Sequence, residues 1–315
     1  MYKRPFFLLF FCTFAITLPS TCSSPRYNLI FDLNGVCVVT NRLAALRQLN
    51  LLPLLPYIAT TFKSPQQSFY KLLNAIEPYS MNYSDEYRPR DEKGTPLPSL
   101  MCSWLDGTQT DEAILQRITS EIAVGTNPRL QQLSWLEKLM GMALARLIFT
   151  PIRFATIQSL HPSAIALIKA CKKAGYPVYI LSNWDAASFT LIKKLHPDFF
   201  NLFDEDHIII SGTMQRAKPA LEMYQKSLHV WGLQAKDCLF IDDQLINITA
   251  AQKVGLNTIL CVPQYRWYGN AIPDLGIIWQ NINAYQKQRT MNAAVANTAN
   301  SHTKARQQAS HYQHQ

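Results

Sequence analysis

Charged side chains are scarce in this chain of 315 residues: they make up 16%, with 48% hydrophobic residues, where ordinary globular proteins carry roughly a quarter charged. That balance excludes wholesale disorder and a highly charged filament. Acidic residues are missing altogether from the two ends. Lys3, Arg4 and Arg26 lie at one end and Lys287, Arg289, Lys304 and Arg306 at the other, so of 30 basic and 21 acidic residues, 23 and 21 remain between them. The net charge of +9 therefore belongs to the termini and supplies no footprint for nucleic acid. No C-x-x-C pair is present among the seven cysteines, which removes the common zinc and dithiol patterns. No internal repeat is visible. The length exceeds one typical domain of about 100–200 residues, so a large domain or a core with an appended module is expected.

The ends read differently from the middle. Lys3 and Arg4, the apolar run from Phe6 to Leu18, Pro19 and the small residues Ser20 to Ser24 have the layout of a secretory signal. Residues 1–24 are thus expected to be a signal peptide, and the protein to be exported to a periplasm or the medium. The run is shorter than the roughly 20 residues that span a bilayer, so membrane contact would come only through an uncleaved signal or a lipid on Cys22. From Tyr285 to Gln315 the chain is polar and without apolar periodicity, which predicts a mobile tail; His302, His311 and His314 there lack a metal-binding spacing. If Cys12 and Cys22 leave with the signal, five cysteines remain. Cys37, Cys238 and Cys261 adjoin apolar runs and read as buried small hydrophobes, a slightly awkward fit to an oxidising compartment.

Between the ends, five short apolar runs read as buried strands: Asn28 to Asp32, Val178 to Ser182, His207 to Ser211, Cys238 to Asp242 and Asn257 to Val262. Helical patterns near Pro162 to Gly175, Ala186 to Leu195, Ala220 to Trp231 and Leu245 to Val254 alternate with the last four. Continuous apolar strands alternating with helices predict an α/β fold, a doubly wound, Rossmann-like parallel sheet covered on both faces. Residues 26–43 and 157–284 would form this core. Residues 44–156 are helical instead, with patterns at Leu46 to Thr61, Gln66 to Ile76, Asp111 to Ala123 and Asn127 to Phe149 and a Pro-rich loop at Pro78 to Pro98. They predict an all-helical cap inserted after the first strand.

Ligands of such sheets bind beyond the carboxyl ends of the strands, where this sequence puts Asp32, Ser182 and the pair Asp242-Asp243. Two neighbouring strands ending in carboxylates favour a hard cation such as Mg2+. Ser182 and Asn183 offer polar donors to an anion. Lys218 stands before Pro219, a favoured first helical residue, and so places a cation at a helix start. Together these groups would bind a phosphoryl group. Asp185 reads as a helix cap, and Trp184 as a pocket or packing residue. Phe69, Tyr83, Tyr87 and Trp104 in the insert could contact substrate or fill a core.

At these residues the chain resembles the haloacid dehalogenase-like hydrolases. F-D-L-N-G-V from Phe31, I-L-S-N from Ile180, A-K-P from Ala217 and F-I-D-D-Q-L-I-N-I-T-A-A-Q-K-V-G-L from Phe240 occur in that family's order, and the insert stands where the family carries a helical cap. The last motif is most similar to bacterial sugar-phosphate phosphatases. The resemblance implies that Asp32 attacks phosphorus, that Ser182 and Lys218 hold the phosphoryl oxygens, and that Asp32, Asp242 and the backbone carbonyl of Asn34 bind Mg2+, with Asp243 supporting the metal or Lys218. The implied activity is hydrolysis of a small phosphorylated metabolite through an aspartyl-phosphate. One departure stands out. Phosphatases of the family usually carry an acid/base aspartate where this chain has Asn34, and losing such assistance removes about 10²–10⁴-fold in rate. Asn34-Gly35 is equally a turn dipeptide. Two other readings follow: a phosphate-binding effector with impaired turnover, and a metal-independent dehalogenase, against which the Asp242-Asp243 pair speaks.

Overall fold

The computed structural model describes residues 26–49, 64–78, 83–267 and 270–312. In chain order the elements are β1 (Asn28–Phe31), β2 (Val38–Thr40), α1 (Arg42–Leu49), α2 (Pro65–Ile76), α3 (Ser99–Leu105), α4 (Asp111–Val124), α5 (Trp135–Ile148), α6 (Pro151–Thr156) and β3 (Gln158–Leu160). Then come α7 (Ala164–Lys173), β4 (Val178–Ser182), α8 (Ala186–Leu195), β5 (Ile208–Ile210), α9 (Leu221–Trp231), β6 (Cys238–Asp242), α10 (Leu245–Lys253), β7 (Asn257–Leu260), β8 (Pro263–Trp267), β9 (Asn270–Pro273) and α11 (Leu275–Tyr312). Short single turns fill several connections.

Five strands form one parallel sheet in the order β5-β4-β1-β6-β7, the doubly wound arrangement expected. Side chains alternate across it. Leu29, Phe31, Val178, Ile180, Leu239 and Ile241 pack on one face, while Ile30, Tyr179, Leu181 and Phe240 pack on the other. Both faces are buried because helices cover both, so the strands are apolar at every position rather than at every second one. Each fully buried Leu, Ile or Phe contributes about 1.5–3 kcal/mol, which is why these short strands persist.

The helical insert has its own core, where Phe69, Leu72 and Leu73 of α2 meet Leu100, Trp104, Ile114, Ile118 and Phe149. Phe69 and Trp104 are therefore packing residues. The insert does not follow β1 directly. Its two connections pass through β2 and β3, an antiparallel pair with Val38 opposite Leu160, which fixes where the chain leaves and re-enters the core. The stretch expected to be one helix from Asn127 to Phe149 is broken. A single turn at Pro128–Gln131 ends, and α5 restarts at Ser134, whose side chain accepts from Glu137 N while Glu137 accepts from Ser134 N. This reciprocal cap satisfies two orphan donors, so restarting costs little. Residues 50–61 of the helix expected from Leu46 lie outside the described residues, as do 79–82 of the Pro-rich loop.

Two expectations change at the carboxyl-terminal side. An antiparallel hairpin, β8–β9, follows the sheet. The tail expected to be mobile from Tyr285 is helical as far as Tyr312, within α11. Its start is anchored: Tyr285 Oη donates to Thr258 O at 3.0 Å, and buried Gln286 accepts from Tyr27 N at 3.2 Å. The compact body ends at Lys287, and residues 288–312 fall in a separate unit. The polar composition of 288–312 withholds an apolar face, but Ala, Gln, Lys and Arg are good helix formers, so helix does not require one. The signal-peptide reading of 1–24 lies outside the described residues. Cys37, Cys102, Cys171, Cys238 and Cys261 are buried, and none of them forms a disulfide.

Asp185 caps α8, accepting from Ser188 N at 2.8 Å. Burial lifts its carboxyl from the ordinary 3.8 to about 6, with the Ser188 bonds opposing. A folded-state value above the unfolded one means the native protein holds the proton more tightly, so stability falls as pH rises from about 4 to about 6. Asn at this position keeps the cap acceptor but does not titrate. Denaturant melts should show the Asp185→Asn protein gaining on the natural one across that window, by up to about 3 kcal/mol, and holding level above it. Parallel curves would contradict the assignment.

Candidate active site

Parallel pairing of β1 with β6, Phe31 opposite Ile241, brings Asp32 and Asp242 side by side at the carboxyl edge of the sheet. Backbone bonding continues to that point, with Asp32 N donating to Ile241 O at 2.9 Å. Ser182 ends β4, the neighbour of β1 on the other side. All three are buried, at 5%, 0% and 0% exposure for Asp32, Asp242 and Ser182. Lys218, 1% exposed, reaches between the carboxylates: its Nζ lies 3.0 Å from Asp32 Oδ2 and 2.7 Å from Asp242 Oδ2, above the Phe240 ring.

Lys218 does not stand at a helix start as expected. Pro219 and Ala220 precede α9, whose first residue is Leu221. The lysine is held instead by Asn183, whose Oδ1 accepts from Lys218 N at 2.8 Å and whose Nδ2 donates to Lys218 O at 2.8 Å. With both ends of its carboxamide used on that backbone, Asn183 orients the lysine rather than offering its side chain to a phosphate. Trp184 is buried in the core and donates to Ser188 Oγ, so it packs and does not line the site.

The remaining predicted residues lie at the mouth. Asn34 and Gly35 form a turn after β1, with Gly35 N donating to Val38 O at 2.8 Å, so the turn reading holds. Gly35 has φ +81°, and a Cβ there would stand 2.2 Å from Asp243 Oδ2. Only glycine lets the Asp243 carboxylate lie against this turn. Asp243 Oδ1 is buried with no hydrogen-bond partner. Ser182 Oγ has none in bonding geometry either, although it is near enough to Asp32 to draw that carboxyl down slightly.

The electrostatics are unbalanced. Oxygens of Asp32, Asp242 and Asp243 lie within 4.8 Å of one another, facing one ammonium. Burial lifts the Asp32 carboxyl from 3.8 to about 7; Lys218 opposes this and Asp242 adds to it. Burial, reinforced by Asp242 and Asp32, pushes Asp243 well above the carboxylate range. For Lys218 burial acts downward, but Asp242 and Asp32 outweigh it and leave the ammonium above its ordinary value. Three hard carboxylates, one holding an orphan oxygen, fit a hard divalent cation such as Mg2+.

One supporting residue was not singled out from the sequence. Asn247, buried in the first turn of α10, donates from Nδ2 to Asp242 Oδ1 and Oδ2 at 3.1 and 3.2 Å, while Gln244 N donates to Oδ1 at 2.8 Å. Asn247 lies inside the last motif quoted above, five residues after Asp242, so its helical position was the available signal. Beyond the turn a hollow of about 570 Å³ opens, with Asn34, Gly35 and Asp243 at one end and Arg42, Arg90 and Arg266 around it. Those arginines come from α1, the insert's loop and β8, elements with no motif to announce them.

A parallel sheet with a buried Asp–Lys–Asp arrangement at its carboxyl edge and a helical insert over it defines a hydrolase fold, and the family model for haloacid dehalogenase-like hydrolases matches residues 29–255. The chain belongs to that family. It is 34% identical over 103 residues to the sesquiterpene phosphatase astK of Aspergillus oryzae, covering 32% of this chain and 51% of that protein. It is 31% identical over 103 residues to the protein CbbY of Cupriavidus necator, covering 32% of this chain and 40% of that one. The match thus spans about half the length of these relatives or less. Among solved structures, a HAD family enzyme from Bacteroides thetaiotaomicron in complex with magnesium and inorganic phosphate is similar at 17% identity and TM-score 0.47, over 77% of this chain and 97% of that one.

Replacing Gly35 by alanine should displace the Asp243 carboxylate and strain a positive-φ position, lowering the melting temperature by several degrees. It should also reduce any stabilisation the protein gains from added Mg2+. Thermal melts with and without the ion measure both effects. A variant matching the natural protein in each would show that Asp243 does not depend on this contact.

Proposed function

We propose that the protein is a Mg2+-dependent phosphohydrolase acting on a small phosphorylated substrate, with the helical insert as a cap over the site. The observation that carries this reading is the buried Lys218 shared by Asp32 and Asp242, beside an unpartnered Asp243 oxygen. A nucleophile, a cation for phosphoryl oxygens and a surplus of carboxylate are the parts that phosphoryl transfer needs. The similarity to a protein named as a phosphatase supports the same class.

Asp32 attacks phosphorus, forming a carboxyl O–P bond as the ester P–O bond breaks and its electron pair leaves with the alcohol oxygen. Lys218 and the free Ser182 hydroxyl bind the phosphoryl oxygens, the first by charge and the second by a hydrogen bond. Water then cleaves the aspartyl-phosphate, returning Asp32 and releasing phosphate. Asp32, Asp242, Asp243 and the Asn34 carbonyl would hold Mg2+, which supplies positive charge against the transferred group. Asn34 cannot exchange a proton, so the departing oxygen takes its proton from water. That substitution is the specific observation favouring a second reading, a phosphate-binding protein of impaired turnover. We further propose export through residues 1–24. Among the described residues no helix is long and apolar enough to cross a membrane.

Purified protein with a panel of phosphate esters and Mg2+ should release phosphate, chelator should stop the release, and Asp32→Asn should abolish it. Asn34→Asp should raise kcat by about 10²–10⁴. A fair starting rate with no gain would show water already serving as the proton donor. No release from any ester, together with no Mg2+ binding, would end the phosphatase proposal.

A further inference from the structure

The first turns of α10 run directly on from Asp243 and carry an apolar strip that nothing in the core uses. Leu245 is 64% exposed and Ile246 is half-buried, and neither joins the packed cluster to which Ile248, Ala250 and Ala251 of the same helix belong. Leu245 and Ile246 instead line the hollow of about 570 Å³ that begins at Asn34, Gly35 and Asp243. They also line a second hollow of about 400 Å³ farther along the helix, together with Tyr87, Thr249 and Ala250. The two hollows share Arg90, Leu245 and Ile246, so they form one trough leading away from the site.

The trough has a mixed lining, with Asp91, Glu92, Lys93 and Gln244 among its polar residues. Ala271 and Ile272 of β9 and Pro263 of β8 extend its apolar wall. Arg42 is paired with Glu92 at 3.3 Å, whereas Arg90 donates to the backbone oxygens of Gly94 and Asp85, and no ion pair joins it to a carboxylate among the described residues. Tyr87 and the Glu86–Lys253 ion pair stand at the far end. Beside these polar groups, Leu245, Ile246, Pro263, Ala271 and Ile272 give the lining an aliphatic part suited to an apolar group.

We propose that the substrates are phosphate esters of apolar alcohols, with the hydrocarbon lying along Leu245 and Ile246 toward Tyr87 and with Arg90 beside its phosphorylated end. The inference rests on the phosphatase reading and adds the class of leaving group. Apolar surface covered at this wall contributes about four-fold in affinity per methylene.

The test is a series of butyl, hexyl and octyl phosphate, kept below micelle-forming concentrations, against glycerol phosphate, with Mg2+ present. kcat/KM should rise along the series, at least about tenfold from butyl to octyl, with glycerol phosphate lowest. Leu245→Ser, at an exposed position that does not threaten folding, should cut the octyl-to-butyl ratio to under about threefold, and Leu245→Met should keep it. A flat series, a preference for glycerol phosphate, or a ratio unmoved by Leu245→Ser would overturn the inference and leave the phosphatase reading standing. If no ester is hydrolysed, the phosphatase reading fails separately. Calorimetric binding of octyl against butyl phosphate then decides the inference by the same ratio and the same variants.

Discussion

Everything at the carboxyl edge of the sheet is arranged around one buried ammonium. Lys218 lies within hydrogen-bonding distance of two carboxylates that belong to different strands, and none of the three is measurably wet. Burying a charge is costly unless it is paired and hydrogen-bonded. Here the pairing is supplied by β1 and β6, the lysine backbone by Asn183, and the second carboxylate by Asn247 and Gln244 N. Removing Lys218 would leave two buried carboxylates without a cation, so sheet register, the loop before α9 and the start of α10 are tied to one electrostatic arrangement.

That arrangement still carries surplus negative charge. Asp243 adds a third carboxylate that has no ammonium of its own, and Gly35 makes room for it where any side chain would intrude. A structure selected only for stability would place a neutral or cationic residue there. Keeping one oxygen of this acid buried without a hydrogen-bond partner is destabilising by itself, which is the pattern expected where function, not folding, sets the residue.

The sheet core was legible in the sequence because its strands are buried on both faces and so read as unbroken apolar runs, each ending in the residue that matters. Asp32, Ser182 and Asp242 could be placed at one edge from that rule alone, and Lys218 from its position before Pro219 and the A-K-P match of the family resemblance. The role of Asn183 was not legible, since a carboxamide beside a phosphate and a carboxamide clasping a backbone look identical in one dimension. The break before α5 was written in Ser134 and Glu137 but hidden by a continuous apolar pattern. The helix beyond Tyr285 was missed because lack of an apolar face argues against packing, not against helix, and Tyr285 and Gln286 anchor its beginning through two long-range bonds. The β8–β9 hairpin and the arginines around the hollow carry no periodicity or spacing that marks them in advance.

The insert's hydrophobic cluster contains Ala217 and Ala220, the residues on either side of the Lys218-Pro219 step, and the Tyr83 hydroxyl accepts from Ala217 N while donating to Asp106. The lysine's own segment is therefore packed into the insert as well as into the sheet domain. Moving the insert as a body would pull on the segment that holds the ammonium between its two acids.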